Sequence, residues 1–342
     1  MHERFIARLA ALAVGALVAT TANSQDKVEL KLSHYLPPVH GLHTDFMEPW
    51  AKDLEKCTNG KVTVRVSPGT SSLGNAANQL DQVQSGVVDI AFGLVGNPRG
   101  RLPRTGLIEM PFMIETADVG SRTLWVLYPK YLKDEYKGLK VLALMTHNGG
   151  LIHTRDKKVE KIEDLRGLRI RTPSPQVSAA LTMLGATPVG MPPAQAYESL
   201  DKGVIDGAAF PWDPVKAFKL DEVTKYHTDA RFYVASFWFA MNEKKYNSLP
   251  ADVKKCIDQA SGDALIAKFQ GWWDKWDKAG LEAAKARNST IVTLTPAERE
   301  RWRQSLGQAY NKQILELEGS GVANAREIYL EMQKTAAGYA KK

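Results

Sequence analysis

The sequence predicts an α/β fold in two lobes, on three observations. Short strand and helix segments alternate from Val28 to Phe92, a second such succession runs from Lys140 to Phe210, and beyond Pro250 the chain is mostly helical. A β-α-β-α-β order implies a parallel sheet covered by helices on both faces. With 342 residues the chain can bury a large core and is expected to divide into two bodies.

The elements follow in order. Val28-Glu29-Leu30-Lys31-Leu32-Ser33 alternates as a strand, and a loop with Pro37-Pro38 leads into a helix from Phe46 to Cys57. Gly60 ends that helix, and Val62-Thr63-Val64-Arg65-Val66 alternates as a second strand. Asn75 to Ser85 reads as a helix and Val88-Asp89-Ile90-Ala91-Phe92 as a third strand. The second unit opens on Lys140-Val141-Leu142-Ala143-Leu144. Phe232 to Met241 is a long apolar strand, suited to crossing between lobes. After it, Phe269, Trp272, Trp273, Trp276 and Leu281 recur at helical spacing, which reads as a long helix packed across both lobes. Thr290 to Leu294 is a short strand. Thr295 then caps a helix with Pro296 at its first position and Glu298 set to complete a capping box. The tail to Lys342 is amphipathic helix. The expected division is a signal peptide at 1–24, a first lobe of 25–146 plus about 212–250, and a second lobe of 147–211 plus about 251–342, with the spanning helices.

A hydrophobic share of 44% and a charged share of 24% are those of a globular protein, with no low-complexity segment or repeat. Arg4 and Arg8 flank a polar start, Leu9 to Val18 are apolar, and small residues follow at Thr20, Thr21, Ala22 and Ser24. That pattern predicts export to the periplasm, with cleavage after Ala22 or Ser24. The apolar run falls short of the ~20 residues a membrane span needs. The net charge of +7 is scattered among acids, and no basic run with interleaved aromatics marks a nucleic-acid groove, so nucleic acid is not an expected partner. Cys57 and Cys256 fit no metal or redox spacing. An exported chain allows them a disulfide if their Cα atoms come within about 7 Å, the alternative being two buried thiols. The bridge is the expectation.

Catalytic patterns are absent: there is no Gly-x-Ser-x-Gly elbow, phosphate loop or Gly-x-Gly-x-x-Gly turn after a strand. No spacing places His34, His40 and His43 on one face as a zinc site. No enzyme activity, cofactor or metal is therefore expected. The stretch from Asp164 to Pro214 draws attention instead. In Gly167-Leu168-Arg169-Ile170-Arg171-Thr172-Pro173, a short strand turns Leu168 and Ile170 one way and Arg169 and Arg171 the other. Pro173 stops it, leaving Arg171 at the carboxyl end, where open α/β sheets bind ligands. A guanidinium there is a planar, permanently charged fork for a carboxylate.

Leu165-Arg166-Gly167-Leu168-Arg169-Ile170-Arg171, Pro188-Val189-Gly190-Met191-Pro192, Ala196-Tyr197-Glu198-Ser199-Leu200 and Gly203-Val204-Ile205-Asp206-Gly207 occur in the order and spacing of one family. They resemble the solute-receptor subunits of tripartite ATP-independent periplasmic (TRAP) transporters, and the similarity extends from Leu30 to the helical tail. The resemblance implies a periplasmic-binding-protein-like fold that closes on an organic acid, delivers it to membrane permease subunits, and pairs Arg171 with the acid's carboxylate. A monomer is the default.

The sequence departs from that family in two places. Receptors for sialic acid and several other acids carry a further arginine just before an early strand of the second lobe. Here His147, Asn148 and glycines stand there. After Asp206-Gly207, a position where an amide can meet a polar ligand holds Phe210, with Pro211 and Trp212 following. One fork and an aromatic wall suit a monocarboxylate with an apolar or aromatic body, including a 2-oxo or 2-hydroxy acid. Further candidates are Tyr35 and His34 at the end of the first strand, Asn75 at a helix start, Phe92 ending the third strand, and Phe237 and Trp238 on the crossing strand. Asp213 adjoins the motif, but one carboxylate does not make a metal site. Alternatives are a C4-dicarboxylate or 2-oxo-dicarboxylate receptor, which needs a second cation, a periplasmic enzyme on the same scaffold, and a sensor docking to a receptor kinase.

Overall fold

The computed structural model describes residues 27–341, and the expected signal peptide at 1–24 lies outside them. Eleven strands are found among the described residues: β1 (Val28–His34), β2 (Val62–Ser67), β3 (Ile90–Leu94), β4 (Leu139–Thr146), β5 (Leu151–Thr154), β6 (Arg169–Thr172), β7 (Thr187–Gly190), β8 (Gly207–Phe210), β9 (Tyr226–Asp229), β10 (Ser236–Asn242) and β11 (Thr290–Thr293). They form two sheets, one ordered β2-β1-β3-β10-β4 and the other β11-β9-β5-β8-β6-β7.

The first sheet is parallel across β2, β1 and β3, as the β-α-β-α-β order requires. It is not parallel throughout, because β10 returns from the second sheet and inserts between β3 and β4, antiparallel to both. The strand at Lys140 therefore completes the first sheet and does not open a second unit. Helices cover both faces at these central strands, so β3 and β10 are buried along their whole lengths and read as unbroken apolar runs.

The crossing differs from the single long strand expected for Phe232 to Met241. Regular pairing begins only at Ser236. Upstream, the chain is held by scattered bonds: Phe112 N–H to the Phe232 carbonyl, Gly150 N–H to Tyr233 and His147 N–H to Ala235. Residues 226–229, expected with the first lobe, pair with β5 and β11 in the six-stranded sheet. The tail also divides. Helix Pro296–Gly319 sets Trp302 and Leu306 against Ile170 and Leu181, whereas helix Ala325–Ala340 sets Ile328, Tyr329 and Met332 against Leu124 and Leu139 beside the first sheet. Amphipathic helices report that a face is covered, not by which sheet.

Local signals behave as their chemistry dictates, with one exception. The Asn75 side chain accepts from Ala77 N–H, and Thr295 accepts from Glu298 N–H. The expected return bond of the capping box is absent, because the Glu298 carboxylate accepts from Ile162 N–H at 2.8 Å and binds Trp302 and Arg301.

The two sheets are joined by helix Asp263–Ala286, whose 24 residues span ~36 Å at 1.5 Å each. It buries Leu265, Phe269, Trp273 and Trp276 against Phe46, Trp50 and Phe239 of the first sheet's core. Its second half buries Ala284 against Leu151, Trp212 and Val215. Cys57 and Cys256 are disulfide-bonded, with Cα atoms 5.9 Å apart, tying helix Glu48–Cys57 to helix Ala251–Gln259.

Candidate functional site

The site forms where the carboxyl ends of β1 and β6, the turn after β8 and the crossing segment converge. Arg169 and Arg171 leave the same face of β6 but meet different surroundings. Arg169 is at the surface and makes a bidentate pair with Asp206, at 2.9 and 2.7 Å. Arg171, two residues on, is 2% exposed. Its Nε donates to the Met191 carbonyl at 3.1 Å and its Nη1 to the Ala209 carbonyl at 3.0 Å, while the guanidinium lies 4.0 Å from the Phe210 ring centre.

No acidic side chain among the described residues lies within ion-pair distance of Arg171. Burial pulls its pKa down to about 10, which still leaves it charged at neutral pH. Carbonyls and a ring face orient the charge without neutralising it. A buried cation in this condition gains most from an anion.

Beside Arg171 lies a partly open cavity. Its apolar walls include Phe210, Phe218, Phe237 and Trp273, with Pro173, Pro211 and Pro214 at the bends. Tyr35, Tyr233, His147, His40 and Asp213 complete the lining. The Tyr233 hydroxyl and the Trp273 indole N–H are buried with no hydrogen-bond partner in the protein. Both are donors, as Arg171 is. The approach of Tyr233 depends on Gly150, where a Cβ would sit 2.2 Å from the tyrosine ring.

His147 lines the cavity with its nitrogens already used. Its Nε2 accepts from Ala235 N–H at 2.8 Å, which puts the proton on Nδ1, donated to the Asn148 carbonyl. Burial holds its pKa down at about 4, and the Arg171 charge opposes protonation further. This histidine pins the crossing segment. His40 is also fixed: its Nδ1 accepts from Leu42 N–H at 3.1 Å, so Nε2–H donates to Asp213 Oδ2 at 2.8 Å. That bond joins the segment after β1 to the segment after β8.

Of the residues expected at the site, Arg171, Phe210, His147, Tyr35 and Phe237 meet around this cavity. Six others lie elsewhere. Trp212 turns away after Pro211 and packs against His153 and His227, with ring centres 5.5 and 5.1 Å distant. Asn148 bonds Ala117 N–H and Asp277 at 2.8 and 2.9 Å. His34 donates to His43 Nδ1 at 2.9 Å and accepts from Leu36 N–H. Asn75 is an exposed helix cap. Phe92 lies one layer behind the lining, stacked on Tyr35 and Phe237. Trp238 faces the opposite side of β10, against Gly93, because neighbouring residues on a strand point oppositely. Sequence reasoning missed Tyr233, His40 and Trp273. Tyr233 lies within the crossing stretch already singled out, whereas nothing in the sequence relates His40 to Asp213.

The lining contains no Ser, Thr or Cys, and among the described residues no three His, Cys, Asp or Glu side chains converge as a metal site. A cavity between two α/β bodies, beside a guanidinium with no counter-ion among the described residues, is a candidate ligand site in the two-lobed fold of a solute receptor. Residues 32–316 match the bacterial extracellular solute-binding proteins, family 7, and the chain belongs to that family, the TRAP solute-binding receptors.

Solved structures agree on fold. A TRAP solute-binding protein of Rhodoferax ferrireducens T118, in complex with copurified benzoate, superimposes with a TM-score of 0.88 at 32% identity, covering 92% of this chain and 99% of that one. A marine metagenome TRAP receptor described as specific for aromatic acid ligands, crystallised with 3-hydroxybenzoate, gives 0.88 at 31% identity over 92% and 99%. The C4-dicarboxylate-binding periplasmic protein of Rhodobacter capsulatus is 27% identical over 324 residues, covering 87% and 92%. The family consists of transport receptors for extracytoplasmic solutes rather than enzymes. Among the described residues, no helix is long and apolar enough to cross a membrane.

Proposed function

We propose that this protein captures an aromatic or otherwise apolar monocarboxylate in the periplasm, acting as a monomer, and delivers it to the membrane permease subunits of a TRAP transporter, with residues 1–24 as its export signal. The observation that carries this reading is Arg171, a buried cation with no protein counter-ion, beside an aromatic-walled cavity. The acid's carboxylate accepts from the free face of the guanidinium and from Tyr233, and its apolar body lies against Phe210, Phe237 and Trp273. Because the lining comes from both bodies, the ligand favours the closed state by contacts that exist only there. The aromatic acids bound by the Rhodoferax and marine receptors support this choice.

A dicarboxylate, the ligand in the Rhodobacter relative's name, is disfavoured because Arg171 is the only Lys or Arg in the lining. A thermal-shift screen of the mature protein against organic acids, repeated with Arg171→Ala, tests the reading. Benzoate and its relatives should raise the melting temperature of the wild type through linkage. Removing one member of a buried charge pair costs about 3–5 kcal/mol, so Arg171→Ala should weaken binding several hundred-fold or more. A shift given only by dicarboxylates would sink the proposal.

A further inference from the structure

The cavity has a second polar end that carboxylate capture leaves unused. Asp213 lines it with a side chain 4% exposed, and its Oδ2 is held by His40 Nε2–H at 2.8 Å. No hydrogen bond to its Oδ1 is found among the described residues. A carboxylate accepts about four hydrogen bonds, so one donor leaves this group with acceptor capacity to spare. The group is also rigid. His40 is locked by Leu42 N–H, and the backbone N–H of Asp213 is held by Asp277 Oδ1 at 2.8 Å. Tyr35 lies within electrostatic reach of both Arg171 and Asp213, so donor end and acceptor end belong to one cavity.

We infer that Asp213, oriented by His40, is the specificity-determining residue of this receptor: it selects an aromatic monoacid that carries a hydroxyl remote from its carboxylate, and rejects dicarboxylates. The inference rests on the proposed monocarboxylate function and deepens it. With the carboxylate on Arg171, a hydroxyl at the other end donates to Asp213 Oδ1 and supplies the missing bond. An unsubstituted ring leaves that oxygen unpaired, and a second carboxylate faces a fixed like charge, so selection works by attraction and by repulsion. The variant Asp213→Asn inverts this logic. Since His40 Nε2 must donate, the amide oxygen takes the place of Oδ2, and the amide N–H₂ is turned to the cavity. An acceptor becomes a donor.

Isothermal titration of the mature protein and of Asp213→Asn with benzoate, meta- and para-hydroxybenzoate and isophthalate provides the test. The wild type should bind the better hydroxybenzoate roughly 10- to 100-fold more tightly than benzoate, the ratio a hydrogen bond to a charged group supplies, and bind isophthalate least. In Asp213→Asn the hydroxyl advantage should vanish and isophthalate binding appear. If the variant binds benzoate and retains the wild-type hydroxyl ratio, the assignment of Asp213 is wrong while the receptor reading stands. If the variant does not fold, the wild-type series still decides: equal affinity for benzoate and both hydroxybenzoates, or a preference for isophthalate, overturns the inference. If neither benzoate nor a hydroxybenzoate binds the wild type, the monocarboxylate reading fails and this inference falls with it.

Discussion

Two residues of the same type on one strand, Arg169 and Arg171, show how little residue identity settles. Arg169 is exposed, and its pair with Asp206 contributes little, as surface pairs do. Arg171 is buried without a counter-ion among the described residues, which suits it to pair with an anion. The same reasoning applies to Tyr233, whose buried hydroxyl has no protein partner. Tyr233→Phe should leave the melting temperature of the ligand-free protein unchanged or slightly raised, because no internal hydrogen bond is lost. It should weaken carboxylate binding by about 1.5–3 kcal/mol, the strength of a hydrogen bond to a charged group. Calorimetry of both forms checks this; a clear fall in ligand-free stability would show that the hydroxyl serves the fold.

Helix Asp263–Ala286 makes two opposite demands on its glycines. A Cβ at Gly280 would lie 1.8 Å from the Trp212 carbonyl oxygen, whereas one at Gly271 would meet nothing within 4 Å. Alanine is favoured over glycine in helices by about 0.8–1 kcal/mol, so Gly271→Ala should raise the melting temperature. Gly280→Ala should lower it, since overpacking of about 1–3 kcal/mol exceeds that gain and pushes apart the elements that carry Trp212 and Asp213. Thermal unfolding of the two variants side by side decides the point. The disulfide acts between elements as well. Cys57 and Cys256 lie 199 residues apart, and reduction should cost about 2–5 kcal/mol, read as a lower melting temperature in dithiothreitol. An unchanged midpoint would show that packing alone holds the two helices together.

Across the whole molecule, burial of ionisable groups sets the response to acid. Burial holds His34, His147, His153 and His227 below the ordinary imidazole range, His147 and His153 at about 4. Each titrates near 6.5 when unfolded, so between about 6.5 and 4 the unfolded chain takes up protons that the folded chain refuses. Stability therefore falls with pH in that window, by up to ~1.4 kcal/mol per unit for each histidine. Glu109 and Asp277 work the other way. Burial raises both to about 7, so their contribution is present below the unfolded carboxylate range and is lost as pH rises through 7. Four histidines outweigh two carboxyls, and the melting temperature should drop between pH 7 and pH 5. A rise over that interval would show that the carboxyls dominate.

The sequence by itself determined what depends on neighbours along the chain: the alternating strands β1 and β2, the Thr295 cap, the amphipathic long helix, and the placement of Arg171 before a strand-ending proline. Its motifs were enough to mark the family and the class of receptor. Tertiary structure alone decided what depends on groups far apart in sequence. β10 lies between β3 and β4 because the chain returns there from the second sheet, and alternation along a strand records burial but not the partner. Trp212 and Asn148 look like site residues beside the motif, yet their partners, His227 and Asp277, draw them elsewhere. His40 and Asp213 are separated by 173 positions, and only the packing of the segment after β1 against the segment after β8 brings them to 2.8 Å. The pattern of a sequence states which faces are buried; the geometry of a cavity depends on which of those faces meet.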